Sequence, residues 1–445
     1  MKNARVFFAL LGIAALSACT NPFTGGGRGG EGTIAIAFDS APVPVRFTAR
    51  SVVDPDDMIH YITLIGSGGR TIPHRIEGLG PATISVPPGN WRVSVRGMGD
   101  RPDALSAIEF RDLMVRAVGE TSVEVLAGQS SPAIIEMISV IGIYTRGQLR
   151  DAVTADGLDV EVPLVPLRLI TDLDLNDWMP VNFYFNGVFD GGGHAISELD
   201  ASLFNTIPAG SEVRNLRLVF VEIYGGGALA VENHGTVENV SVSGTVSNDD
   251  AGVAGVGGIV GINYGTVETS FATGNVSSTG DYVGGIAGIN RGTVRNSFAT
   301  GNVTGTTMFS DYIGGIVGQN EGTVENVFAT GNVLGGANVG GIVGWNNTGA
   351  EVRNNVVLSP LVYGSSGAGF NRVVGVNLGT AESNYGRSIP GTWDGVEITA
   401  DEWHSRGWWF DAVGFDPYDV WYLADGRLPI LRNMPPGAPQ NPVVQ

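Results

Sequence analysis

Between Gly257 and Val333 one run of residues is written three times. Val256-Gly257-Gly258-Ile259-Val260-Gly261-Ile262-Asn263 continues through Gly265-Thr266-Val267-Glu268 to Phe271-Ala272-Thr273-Gly274-Asn275-Val276, and the same words return at Val283–Val303 and Ile313–Val333. Looser copies cover 226–246, 339–359 and 373–385. Asparagines at 233, 263, 290, 320, 346 and 377 mark steps of 30, 27, 30, 26 and 31 residues. A period of this size means stacked supersecondary units rather than one globular core. Helical units are excluded, because each repeat holds several glycines and each costs about 1 kcal/mol against alanine inside a helix. Short β-branched runs broken by Gly-Asn and Thr-Gly-Asn read as strands separated by tight corners. Two or three such strands per repeat make one coil of a parallel β-helix, with the next coil about 4.8 Å along the axis.

Stacking gives each position a physical meaning. Phe271, Phe298 and Phe328 are expected to stack in the core, Asn263, Asn290 and Asn320 to form an amide ladder, and Asn275, Asn302 and Asn332 another. Arg214, Glu238, Glu268, Arg295, Glu325 and Arg353 fall in one outer column, where only Glu238 and Glu268 are like-charged neighbours.

The word Gly-Gly-Ile-Val-Gly-x-Asn-x-Gly-Thr-Val-x-Asn-Ser-Phe-Ala-Thr-Gly-Asn-Val resembles the GLUG repeat of bacterial surface proteins over 226–359, and more weakly to 385. Ile259, Ile286, Ile316 and Ile342 stand where that family usually has leucine. The resemblance implies a β-helix at the cell surface and carries over no catalytic residue. The Asp172-Leu-Asp-Leu175 and Phe189-Asp-Gly-Gly-Gly-His-Ala-Ile196 stretches resemble the first coils of GLUG-containing proteins. The aromatic cadence Trp408…Gly414-Phe415…Trp421…Leu428-Pro-Ile-Leu431 resembles their closing segment.

Residues 1–18 have a basic start (Lys2, Arg5) and an apolar run from Val6 to Leu16, too short for a permanent span, and read as a secretory signal. Leu16-Ser-Ala-Cys19 resembles the lipobox of bacterial lipoproteins, which implies lipid attachment at Cys19, the one cysteine of the chain. Thr20 in place of Asp implies sorting to the outer membrane. Residues 19–32 form a Gly-rich tether. Segment 33–139 lacks the repeat. Thr33–Phe38, Val43–Ala49, Ile59–Ile65, Ala82–Val86, Trp91–Val95, Ser122–Val125 and Ile134–Ile138 read as strands of a β-sandwich of immunoglobulin or transthyretin-like type, with Trp91 in its core. In 140–155, Thr145 and Gln148 match a capping box at the start of a short helix that would cover the first coil. The β-helix itself spans 156–385. Residues 386–445 carry Trp393, Trp403, Trp408, Trp409, Phe410, Phe415 and Trp421, expected to cap the last coil, and end in a tail from Pro435 expected to be disordered.

The formal charge is −19, and −21 once Lys2 and Arg5 leave with the signal. Nucleic acid is therefore a poor partner. Asp172, Asp174, Asn176 and Asp177 suggest calcium, yet the sixth and twelfth loop positions, which should be Gly and Glu, are Asp177 and Phe183. A corner capped by its own side chains is the expected form, with His194 structural. No zinc-peptidase, nucleophile-elbow or phosphate-loop motif occurs. Asp281 and Asp311, each four residues before the second glycine of a repeat, could stack as a glycosidase or lyase pair, with Asn338 in their place one coil on. A solvated edge loop is the plainer expectation.

The resulting expectation is all-β: a sandwich, then a capped parallel β-helix. It assigns no catalytic residue, no cofactor and no metal ligand. The function expected is that of an outer-membrane lipoprotein acting as a non-catalytic adhesion rod, held by its lipidated N-terminus and binding an extracellular protein or glycan. The alternatives are a carbohydrate-active β-helix using Asp281 and Asp311, and a periplasm-facing structural lipoprotein.

Overall fold

The structure, a computed structural model, describes residues 32–40, 59–67, 69–77, 82–100, 113–136, 138–154, 166–178, 187–250, 252, 254–367, 369–392 and 394–444. The signal segment, Cys19, most of the tether, the expected strand 43–49 and Trp393 lie outside these residues.

Each repeat closes one coil, and the protein is an all-β chain with a parallel β-solenoid of about eight turns. One face is a seven-stranded sheet that includes Ala230–Asn233, Val260–Asn263, Ala287–Asn290, Val317–Asn320, Val343–Asn346 and Val374–Asn377. A second is a five-stranded sheet begun by Val256–Gly257 and Val283–Gly284. A third runs through Thr266–Glu268, Thr293–Arg295, Thr323–Glu325 and Glu351–Arg353. Every pairing in these faces is parallel, so identical words lie over one another. Ile259, Ile286, Ile316 and Ile342, with Val267, Val294, Val324 and Val352, point inward and are fully buried. Each such side chain contributes about 1.5–3 kcal/mol.

The spacing of coils explains the repeated glycine pair. A Cβ on Gly258, Gly285 or Gly315 would collide with the carbonyl of Gly285, Gly315 or Gly341 in the following coil.

The amide ladder forms as expected and is longer than three rungs. Asn233 Nδ2 donates to Asn263 Oδ1 at 2.8 Å, and the chain of donors continues through Asn290, Asn320 and Asn346 to Asn377 at 2.7–2.8 Å. All but the last rung are fully buried. An amide side chain both donates and accepts, so one residue type can repeat indefinitely with every rung satisfied. The second asparagine row works differently: Asn275 and Asn302 each accept from the backbone N–H of the asparagine one coil on, at 2.9 Å.

The outer charge column also forms. Arg295 meets Glu268 at 2.7 Å and Arg353 meets Glu325 at 2.8 Å. The residue after this column turns the corner with positive φ in seven successive coils, as Asn215, Asn239, Thr269, Asn296, Asn326, Asn354 and Ser383. Asparagine dominates there because its short polar side chain tolerates the left-handed region.

In the N-terminal part, a three-stranded sheet (Ala82–Val86, Gly32–Ser40, Ser130–Glu136) and a five-stranded sheet share one hydrophobic cluster. The five strands are Thr71–Glu77, Ile59–Gly66, Gly89–Asp100, Leu113–Val125 and Ile138–Ser139. Thr71–Glu77 is a strand beyond those expected; its Thr-Ile-Pro-His-Arg pattern presents mostly exposed side chains. Trp91 lies in the cluster, 4% exposed, with its Nε1 donating to Pro87 O. The helix Arg146–Thr154 begins at the expected box: Gln148 N donates to Thr145 Oγ1 and Thr145 N to Gln148 Oε1. Its Leu149 belongs to the core cluster of the solenoid.

Three expectations need correction. The phenylalanine stack exists, with centroids 4.8 and 4.9 Å apart and rings nearly parallel, but it is not inside the solenoid. Successive strand residues face opposite ways, and Ala272, Ala299 and Ala329 take the inner side, so Phe271, Phe298 and Phe328 face out. The C-terminal rings cover that outer stack rather than the end of the last coil: Trp409, Phe415 and Trp421 bury against it as one cluster. The end is met instead by Val396–Ile398, paired to the last coil, and by Asp394, whose carboxylate accepts from Val373 N and Val374 N. The tail is not loose. Met434, Ala438 and Val444 pack on the outer cluster, and Arg217, in an early coil, donates to Pro436 O at 3.0 Å.

Candidate functional site

Asp281 and Asp311 do sit one above the other, in the register that pairs Val283 with Ile313. Each is already engaged. Asp281 Oδ1 accepts from Asp311 N, and Asp311 Oδ1 accepts from Ala337 N, both at 2.8 Å. The residue below the pair is Ala337; Asn338 stands under Tyr312, one place off the expected alignment. In each carboxylate one oxygen is thus occupied by a backbone N–H of the next coil and holds register.

The acidic stretch before the repeats caps backbone as well. Asp174 accepts from Asn176 N, and Asp172 accepts from Ala195 N while lying 3.1 Å from His194 Nδ1. The Ala195 N–H holds the Asp172 carboxyl below its ordinary range. Burial pushes the His194 imidazole down against the opposing pull of Asp172. Asp177 turns the corner at φ 58°. Among the described residues no cluster of three or more His, Cys, Asp or Glu side chains could hold a metal ion.

The outer face beside the aspartates carries the more unusual feature. Tyr282 and Tyr312 have φ of 61° and 60°, a region that bulky side chains avoid and that costs roughly 1–3 kcal/mol. The next coils fill the same register with Asn338 and Gly369, residues suited to it. The two tyrosine rings stack at 4.9 Å, and Tyr312 meets Trp345 edge-on at 5.5 Å. Burial comes first among the causes that raise both phenols above their ordinary value, so they stay neutral at physiological pH. Along the same face Tyr264 stacks on His234 at 4.4 Å and accepts from Arg291 Nη1, whose guanidinium also meets Glu321 at 3.2 Å. The result is a row of half-exposed rings edged by polar groups. The sequence pattern marks the two tyrosines only as neighbours of the aspartates and gives Trp345 no role. Alignment of the repeats against Asn338 and Gly369 is the signal that could have found the row.

Residues 279–304 and 310–334 match the GLUG motif. The two matched segments carry both Asp-Tyr pairs, Asp281-Tyr282 and Asp311-Tyr312. No curated protein matches the chain significantly.

Proposed function

We propose that the chain is a non-catalytic GLUG repeat protein that binds an extracellular protein or glycan along the Tyr282–Tyr312–Trp345 row. It is an outer-membrane lipoprotein, tethered through an acylated Cys19 and displayed at the surface. The N-terminal sheets act as an immunoglobulin- or transthyretin-like spacer, and the C-terminal rings as a cover for the phenylalanine stack. About eight coils at the strand spacing would hold the row on a rod roughly 40 Å long. The single observation that supports binding is the pair of tyrosines held out in a left-handed backbone conformation that the next two coils give to Asn338 and Gly369. Aromatic faces of this kind suit sugar rings and protein side chains alike. The repeats and the solenoid fit a non-enzymatic protein.

The rival reading is a carbohydrate-active β-helix using Asp281 and Asp311. An array of bacterial and host glycans, probed with wild type, Asp311→Asn and Tyr282→Ala/Tyr312→Ala, separates the two. The carboxamide introduced by Asp311→Asn keeps an oxygen that can accept from Ala337 N, so this variant should leave retention unchanged, whereas the tyrosine pair should lose most of it. Shortened glycans with wild type that vanish with Asp311→Asn would overturn the proposal.

A further inference from the structure

A second site lies where the outer face of the five-stranded sheet meets the first coils and the C-terminal tail. It is a cleft of about 730 Å³, within the range of roughly 300–1,000 Å³ that small-ligand sites occupy. One wall follows from strand alternation. Trp91, Val93 and Val95 face the core of the N-terminal sheets, so Arg92, Ser94 and Arg96 face out into the cleft. Tyr61 pairs across from Arg96 on the neighbouring strand and adds a ring that is 40% exposed. The opposite wall is Arg168 with Gly192-Gly193-His194, and the third is the turn at 433–436, fixed by Arg217 on Pro436 O.

The electrostatics are unusual for a chain of net charge −19. Arg92, Arg96 and Arg168 line the same cleft, and the nearby carboxylates are Glu120 and Asp172, the latter held 3.1 Å from His194 Nδ1. Glu120 stands on the same sheet face, opposite Ser94. The buried Asp190 is shared between Arg168 at 3.0 Å and Arg214 at 3.6 Å, which orients the Arg168 guanidinium without leaving an acceptor in the cleft. Arg92 and Arg96 make no hydrogen bond or ion pair among the described residues. Two arginines on one face of a strand, separated by Ser94 and without a carboxylate partner among the described residues, stand with Arg168 as planar donors suited to carboxylate. The rest of the lining mixes hydroxyl, amide and phenol groups (Thr63, Ser94, Asn215 and Tyr144) with apolar side chains (Ile65, Met434, Pro435 and Pro436). A mixed lining of this kind suits a sugar, which presents both hydroxyl groups and apolar C–H faces.

We infer that this cleft binds an oligosaccharide bearing carboxylate groups, with Arg92 and Arg96 pairing its acidic groups and Tyr61 supporting a ring. The inference deepens the proposed binding role and rests on its non-catalytic half, not on surface display.

Calorimetric titration of the full-length protein in detergent with trigalacturonate tests it, beside the neutral methyl ester and a sulfated disaccharide. Trigalacturonate should bind and the ester should not. Arg92→Ala/Arg96→Ala should weaken binding by about tenfold or more, the loss expected of charge-assisted bidentate pairs. Arg92→Lys/Arg96→Lys, which keeps charge but not the planar fork, should fall between. Both arginines are exposed, so an unchanged thermal melt is expected for each variant. No heat with trigalacturonate, equal binding of the ester, or equal affinity in the alanine variant would overturn the site. Tighter binding of the sulfated sugar would overturn the carboxylate assignment. A protein confined to the periplasm would titrate identically, so failure of display and failure of the cleft are distinguishable.

Discussion

Glu238 is the residue at which the regular outer column is least comfortable. Its register places it between Arg214 and Glu268, while Glu268 is drawn toward Arg295 on its far side. Burial first, and then the Glu268 charge, push the Glu238 carboxyl above its ordinary value. A raised carboxyl favours the protonated form in the fold. Its contribution to stability is therefore present below the unfolded value, about 4.3, and is lost as pH rises through the folded one. Glu238→Gln should accordingly melt higher than wild type at pH 7, with the gap closing as the pH falls below about 4. A variant that melts lower at neutral pH, or a gap independent of pH, would contradict this account. The same scale shows what is readable in advance. The asparagine ladder and the Glu238–Glu268 contact follow from repeat alignment alone, because each depends only on which residue recurs at a fixed position. The corner asparagines Asn215, Asn239, Asn296, Asn326 and Asn354 are equally visible in the sequence, yet their role depends on a backbone angle and not on a partner, so alignment does not reveal it.

At the level of elements, the phenylalanine stack shows where sequence patterning stops. Phe271-Ala272 is a two-residue strand, and nothing in so short an alternation says which side faces in. The decision is made by residues well over a hundred positions later, when Trp409, Phe415 and Trp421 supply an apolar cover for the outer side. Trp421 is fully buried, stacks on Phe415 at 4.5 Å and lies 5.9 Å from Phe328. Trp421→Ala should therefore cost about 3–5 kcal/mol in the unfolding of the C-terminal segment, read by chemical denaturation, and should raise the binding of a hydrophobic dye. A loss under about 1 kcal/mol would mean that the rings only rest on the surface, as singly exposed apolar groups do. The aspartate row is legible for the same reason as the ladder: four residues before the second glycine of the next coil stands Ala337, not Asn338, and there the row ends. The aromatic row and the arginine cleft are less legible. The cleft draws on strand 89–100, the Gly192-Gly193 corner and the turn at 433–436, which no local pattern joins.

For the whole molecule, the described residues form two N-terminal sheets and a solenoid whose inner positions are spent on packing, and the proposal assigns recognition to its outer rows. Stability comes from stacked coils and buried amides, with no cysteine after Cys19 to supply a disulfide. The strong negative charge discourages adsorption to nucleic acid and anionic lipid, so the proposed membrane attachment relies on the acyl chains proposed at Cys19. The central claim is display, and it is tested most directly by treating intact cells with trypsin and identifying the Arg-ended peptides released from residues 33–445. Amine labels would miss the mature chain, because Lys2 is the only lysine and the N-terminus would be acylated. Display predicts release from unbroken cells. Peptides that appear only after the envelope is opened would contradict display and place the binding rod in the periplasm.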